Sequence, residues 1–364
     1  MASKVYWSDL RTEDVPLTEK LKKLLRGAGF ESLPVRGEYV AIKMHFGEPG
    51  NLAFLRPNWA KAVVDMVKEQ GGKPFLTDCN TLYPGRRKDA LEHLGAAEEN
   101  GFSPLSTGCQ ILIADGLRGT DEILVPVAGG QYVKEAKIGS AVMEADVFIS
   151  LSHFKGHEST GFGGALKNIG MGCGSRAGKM EQHSDGKPIV TEKACIGCRR
   201  CFKACAQGAI SYPHGKASID HDKCVGCGRC LTACPMDAIG PQFGQKNELL
   251  CKKMAEYAKA VCDGRPCFHI SIVTDVSPVC DCYEHNDVPI VPNIGMFASE
   301  DPVALDQACA DAVNAAPVNP GSVLGGHEEG DRFHAANPDT DWTVTLDYAQ
   351  KLGMGTREYE LIKI

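Results

Sequence analysis

No stretch of the sequence strings together eighteen apolar residues, which excludes a bilayer-spanning helix. The chain also lacks a basic block: 39 Lys and Arg stand against 46 Asp and Glu, for a net charge of -7, and the pair Arg86-Arg87 is too small to alter that. An electrostatic footprint for nucleic acid or an anionic membrane is therefore missing. The opening stretch, MASKVYWSDLRTEDV, has no apolar core of the kind a secretory leader carries, so the expected compartment is the cytoplasm. What remains is a chain of 364 residues, 43% hydrophobic, long enough for two domains or for one large α/β domain with an insertion.

Cysteine is abundant instead. Seventeen thiols cannot all pair, and a reducing compartment disfavours disulfides, so metal or cluster ligation is the better first reading. Eight of them form an internal repeat: Cys195, Cys198, Cys201 and Cys205 recur, in order and spacing, as Cys224, Cys227, Cys230 and Cys234, and CFKACAQGAI is echoed by CLTACPMDAI. Each half has the spacing C-x2-C-x2-C-x3-C. Three thiolates of a tight loop then converge on one [4Fe-4S] cubane while the fourth reaches its partner. The expected sets are crossed: Cys195, Cys198, Cys201 and Cys234 for one cluster, and Cys224, Cys227, Cys230 and Cys205 for the other. Zinc knuckles also use C-x2-C pairs, but zinc gives no reason for this duplicated order.

On either side of the repeat the pattern is α/β. Residues 38–44, 74–78, 110–115, 146–152 and 267–276 read as buried strands. Helices are expected from an Asn58 cap to Gly71-Gly72, from about Asn247, and over SEDPVALDQACADAVN with Ser299 as cap, Pro302 in the first turn and Asp301 as a first-turn acid. The fold class is thus an α/β host, 1–188 and 241–364, with a mostly parallel sheet and a small α+β unit inserted at 189–240. An insertion held at both ends sits at a fixed position over its host, which suits electron transfer.

The insertion resembles the bacterial two-cluster ferredoxins. Pro235 matches their pattern, and Ala206 stands where the first repeat would have proline. VAIKMHFGEPGN (40–51), the segment 77–102, SHFKGHESTGFGGALKNIGMG (152–172) and the segment 280–311 resemble the uncharacterised family called domain of unknown function 362, whose members often carry this insertion. That resemblance implies an iron-sulfur protein with an unassigned site.

Several residues are candidates for that site. Lys43, His45 and Glu48 lie at or just past a strand end, as do His153 and His157. Gly156 makes a continuous zinc-binding helix improbable there, which leaves a loop with an imidazole as ligand or general base. Gly161, Gly163 and Gly164 would let backbone approach a bound group and lead into a helix whose free N–H groups favour an anion, with Lys167 on its first turn. The order His157, Lys167, His183 is similar to the lactate racemase family, which implies a ligand site without carrying over that family's nickel cofactor. Cys280 and Cys282, in CDC, read either as soft-metal or cluster ligands or as buried thiols, and Cys173 shares the ambiguity. His327 and Glu328 are candidates for a metal shell or a solvated loop. Cys79, Cys109, Cys251, Cys262, Cys267 and Cys309 are expected to pack as small hydrophobes.

The functional expectation is a two-[4Fe-4S] electron-transfer protein or oxidoreductase, of the anaerobic kind, passing electrons between a redox partner protein or small-molecule substrate and the host site. A further metal or small anionic cofactor there stays open. The alternatives are a cofactor-dependent isomerase with structural or sensory clusters, and a module that only presents the ferredoxin to a partner.

Overall fold

The five strands expected from the apolar runs all join one eight-stranded sheet, completed by three strands toward the chain's two ends that were not expected. The computed structural model describes residues 2–83, 85–183, 187–241, 247–326 and 329–364. The sheet's strands, in chain order, are β1 (Ser3–Asp9), β2 (Tyr39–Lys43), β3 (Lys73–Asp78), β4 (Ile111–Ile113), β5 (Val147–His153), β6 (Cys267–Val273), β7 (Gly295–Ser299) and β8 (Tyr359–Lys363). Their spatial order is β8-β1-β7-β6-β5-β2-β3-β4. The run β6-β5-β2-β3-β4 is parallel, and β7 is antiparallel to both its neighbours.

Strands of a parallel sheet covered on both faces read as near-continuous apolar runs rather than alternating ones. In β2, Val40 and Ile42 face one core with Leu21, Leu24 and Val63, while Ala41 faces another with Phe148, Leu166 and Ala258. Helices α1 (Leu17–Gly27) and α2 (Pro57–Glu69) cover the first face. The second is covered by α3 (Ala165–Cys173), with α4 (Arg176–His183) following it, and by α5 (Asn247–Cys262) and α6 (Pro302–Ala315). No helix among the described residues is long and apolar enough to cross a membrane.

Two caps differ from expectation. Helix α2 begins at Pro57, with Arg56 rather than Asn58 as N-cap, because a proline at N1 has no N–H to leave unpaired. Asp301, not Ser299, caps α6: its Oδ1 accepts from the N–H groups of Val303 and Ala304 at 2.8 and 2.9 Å, while Ser299 Oγ accepts from Asp301 N–H.

Between 188 and 241 the chain makes an excursion whose ends meet: Pro188–Val190 pairs antiparallel with Ile239–Pro241. Inside it, Ile210–Ser211 pairs with Ser218–Ile219, and the helices Arg200–Ala204 and Arg229–Ala233 pack together. The repeat extends to the backbone. Arg199 and Gly228, and likewise Gly208 and Asp237, occupy matching positions with left-handed φ.

Helix α3 is held by a carboxylate from α6. Asp306 accepts from Ala165 N–H at 2.6 Å and Leu166 N–H at 2.9 Å, and a side chain on Gly164 would collide with that carboxylate. Burial pushes the Asp306 carboxyl up to about 7 from an ordinary 3.8, against the pull of the two N–H groups. A raised folded-state value means that the folded chain binds the proton more tightly, so this contribution to stability is present below about pH 4 and lost as pH rises through 7. We expect the unfolding free energy of the wild type to fall relative to Asp306→Asn across that interval, measured by urea unfolding at stepped pH. A pH-independent difference would refute the assignment.

Candidate functional site

In open parallel sheets, ligands gather at the carboxyl ends of strands where the winding direction reverses. Here β2, β3 and β4 run outward on one side, while β5 and β6 lie on the other, so the reversal falls between β2 and β5. A cavity of about 780 Å³ opens at that edge, a size that suits a small ligand or cofactor. Lys43, Asp78 and His153, each the last residue of its strand, all line it.

The floor is locked by buried charge. Lys43 Nζ lies 3.0 Å from Asp78 Oδ1 and donates to Asn168 Oδ1 at 2.8 Å. Asn168 in turn donates to Lys43 O, Leu151 O and Ser152 Oγ, tying β2 to β5. On the far wall, Glu48 accepts from Arg87 Nε at 2.7 Å and from Arg86 N–H at 2.5 Å.

His153 lines the cavity but does not face it as a free base. Its Nδ1 lies 2.9 and 3.0 Å from the Asp281 oxygens, and its Nε2 lies 2.7 Å from Thr274 O. Both nitrogens face acceptors, so neither is open to a metal or a substrate proton, which corrects the catalytic expectation. The expected anion site at the start of α3 is also corrected, since Asp306 already satisfies its leading N–H groups. Gly164 is glycine for that carboxylate, Gly161 packs on Trp342, and Gly163 lies against Lys155 and Lys167.

The remaining candidates converge. His45 Nδ1 accepts from Gly47 N–H, and its buried Nε2 has no protein partner and belongs to a side chain lining the cavity. Burial, followed by the charge of Arg87, holds its value well below that of a free histidine. His183 Nε2 sits 2.6 Å from Tyr83 Oη. Burial, then the charges of His157 and Lys167, pushes His183 down to about 3, so it is a neutral ring. His157 Nδ1 accepts from Ser159 N–H. Burial opposes the Lys167 ammonium, but Cys280, Cys282 and Glu158 outweigh it and hold the group above its usual range. Lys167 Nζ donates to Cys280 Sγ at 3.4 Å.

Lys155, Lys179, Asn168, Asp78 and Tyr83 line the same cavity and escaped the sequence reading. Asp78 was within reach of the strand-end rule that found Lys43. Lys179, anchored by Gly174 O at 2.6 Å, arrives on a helix that folds back, and nothing local announces it. Cys173 is buried away from the cavity, its carbonyl accepting from Cys79. His327 and Glu328 lie outside the described residues.

A family described as "Domain of unknown function (DUF362)" matches residues 40–311. The chain belongs to this family. A DUF362 protein's relatives here include the thylakoid-associated protein sll1697 of Synechocystis sp., 30% identical over 146 residues, which are 38% of this chain and 39% of that protein. Among solved structures, the lactate racemase apoprotein of Thermoanaerobacterium thermosaccharolyticum aligns with a TM-score of 0.45 at 12% identity, over 87% of this chain and 58% of its own. A Thermotoga maritima protein aligns at 0.40 and 12%, over 82% and 57%. The chain thus spans well under two thirds of these relatives' lengths.

Removing one partner of a buried ion pair strands the other charge, at a cost of about 3–5 kcal/mol. Lys43→Met is therefore expected to destabilise the DUF362 fold by that amount in urea unfolding, with part of the loss recovered in Lys43→Met combined with Asp78→Leu. A loss below about 1 kcal/mol would mean that the pair is solvated, as exposed pairs are.

Proposed function

We propose that residues 189–240 are a ferredoxin-type insertion that holds two [4Fe-4S] clusters and exchanges single electrons with a ligand in the host cavity, as an iron-sulfur oxidoreductase of a reducing, anaerobic cytoplasm. The observation that carries this reading is a second, small cavity lined by Cys195, Cys198, Cys201 and Cys234, the crossed set drawn from both repeats. Ile196, Met236 and Ile239 wall it, and Ala217 N–H and Ala238 N–H point at the sulfurs of Cys195 and Cys234. Among the described residues no three His, Cys, Asp or Glu side chains close on one ion-sized point. Four thiols lining one cavity are the donor set a cubane takes, one thiolate at each iron corner. In the second half, Cys230 lies within the electrostatic reach of Cys227 and Cys224, and Ala209 N–H points at Cys205 Sγ.

Bound there, each cluster would supply one electron at a time. The chain's own residues shape the route. Leu82 and Met180 belong to the apolar cluster around Cys195, Cys201 and Cys234, while their neighbours Tyr83, Lys179 and His183 line the host cavity. One helix, α4, and one loop residue pair thus separate the two cavities. On the host side, Lys155, Lys167, Lys179 and the His45 Nε2–H supply positive charge and a donor, which would hold an anionic ligand or cofactor.

A second reading, a cofactor-dependent isomerase, draws on the convergence of His157, Lys167 and His183 on that one cavity. Intact-chain mass spectrometry tests it: an adduct on Lys167 supports it, and a bare Lys167 sinks it.

Anaerobic reconstitution should load about eight irons per chain, about four per cubane, with a reduced-state EPR signal. Cys234→Ser should lose the same signal as Cys198→Ser, and Cys205→Ser the same as Cys227→Ser. Markedly less iron in the wild type, or no reducible signal, defeats the proposal.

A further inference from the structure

The C-D-C stretch on the host side has no assigned part in any of this. Cys280 is fully buried and Cys282 lines the host cavity. A turn closed by Tyr283 N–H on Cys280 O at 3.2 Å carries both thiols, and each lies within the other's electrostatic reach. Lys167 Nζ donates to the Cys280 sulfur at 3.4 Å, and His157 and Lys155 lie within its electrostatic reach. Asp281 between the two cysteines is turned away and locked by His153. An ammonium set against a buried sulfur favours the thiolate over an inert thiol.

We propose that Cys280 and Cys282 form a dithiol–disulfide couple that collects two single electrons from the iron-sulfur clusters and presents them as a pair to the ligand in the host cavity. This rests on the cluster reading above. In the oxidising direction the Cys280 thiolate and Cys282 thiol lose two electrons and one proton, and an S–S bond forms. In the reducing direction two reduced cubanes each give one electron, the S–S bond breaks, Cys280 leaves as thiolate and Cys282 takes up the proton.

The route is short. Leu82 packs in the apolar cluster around Cys195, Cys201 and Cys234, and the next residue, Tyr83, lies within the electrostatic reach of Cys282 and Cys280. A disulfide across a single intervening residue is strained, and strained disulfides are the readily reduced, catalytic kind. Hydrogen bonding from Cys282, aided by the charges of Lys167 and Lys155, sets Cys280 well below an ordinary thiol despite its burial, while Cys282 lies above one. The reduced couple thus carries one thiolate and one thiol.

The test uses the full chain. The diamide-oxidised protein is denatured and alkylated with one reagent, then reduced and alkylated with a second, and its peptides are analysed by mass. Both Cys280 and Cys282 are expected to carry only the second label, with Cys251 and Cys309 carrying the first. First label on Cys280 and Cys282 overturns the couple, whatever the iron content. The cluster-loaded chain is then photoreduced anaerobically beside the double variant Cys198→Ser, Cys227→Ser. The disulfide should open in the former at least tenfold faster; equal rates overturn the electron route while leaving the clusters standing. A chain with no iron but an intact disulfide overturns the cluster reading and this route with it. In Lys167→Met the couple's midpoint against dithiothreitol should become more negative, because its thiolate loses a donor; a merely structural lysine would not move it.

Discussion

Where the sheet reverses its winding, between β2 and β5, an ammonium and a carboxylate are buried against each other, and the site depends on that pair. Lys43 and Asp78 end adjacent parallel strands, 3.0 Å apart and almost without solvent. Neither could be buried alone, since a charge in a low-dielectric interior needs a partner and hydrogen bonds. Asn168 completes the arrangement by bonding to both strands and to the lysine, which fixes α3 over the reversal. Every group that α3 and its neighbours carry toward the cavity, Lys167 first among them, takes its position from that lock.

The cavity therefore has a floor of paired charge and a rim of ammonium groups. The floor's charges are spent on one another, but those of Lys155, Lys167 and Lys179 lean on a carbonyl, a distant carboxylate or a sulfur. A thiolate is a soft, polarisable counter-charge, more easily given up to chemistry than a carboxylate. On the other side of α4, Cys195, Cys198, Cys201 and Cys234 line a second cavity together with Ile196, Met236 and Ile239.

Much of this was legible in the sequence, and the illegible part has a common cause. Near-continuous apolar runs announced the buried parallel strands, because a sheet covered on both faces admits a polar side chain only where the fold supplies its partner, as for Ser150 and His269. Strand-end residues such as Lys43 and His45 followed from the same rule. The misreadings arose where a distant segment satisfied a local need. The start of α3 looked like an anion site because its own turn offers no acceptor, but Asp306 supplies one from more than a hundred residues away. His153 looked like a free base because Asp281 and Thr274 are as remote. Lys179 and Tyr83 were invisible for the same reason: only the closed fold brings them to the cavity.

The matched left-handed positions Arg199 and Gly228 carry a record of descent. Two halves with the same spacing and the same backbone turns read as an ancestral duplication, and identical copies would have been interchangeable. They no longer are. A β-carbon at Gly228 would fall 2.7 Å from Arg176 Cγ, whereas Arg199 keeps a full side chain stacked near Tyr212. Packing against Arg176 of α4 thus makes the two halves unequal: the second fits close against that helix, while the first keeps a side chain free to make its own contacts.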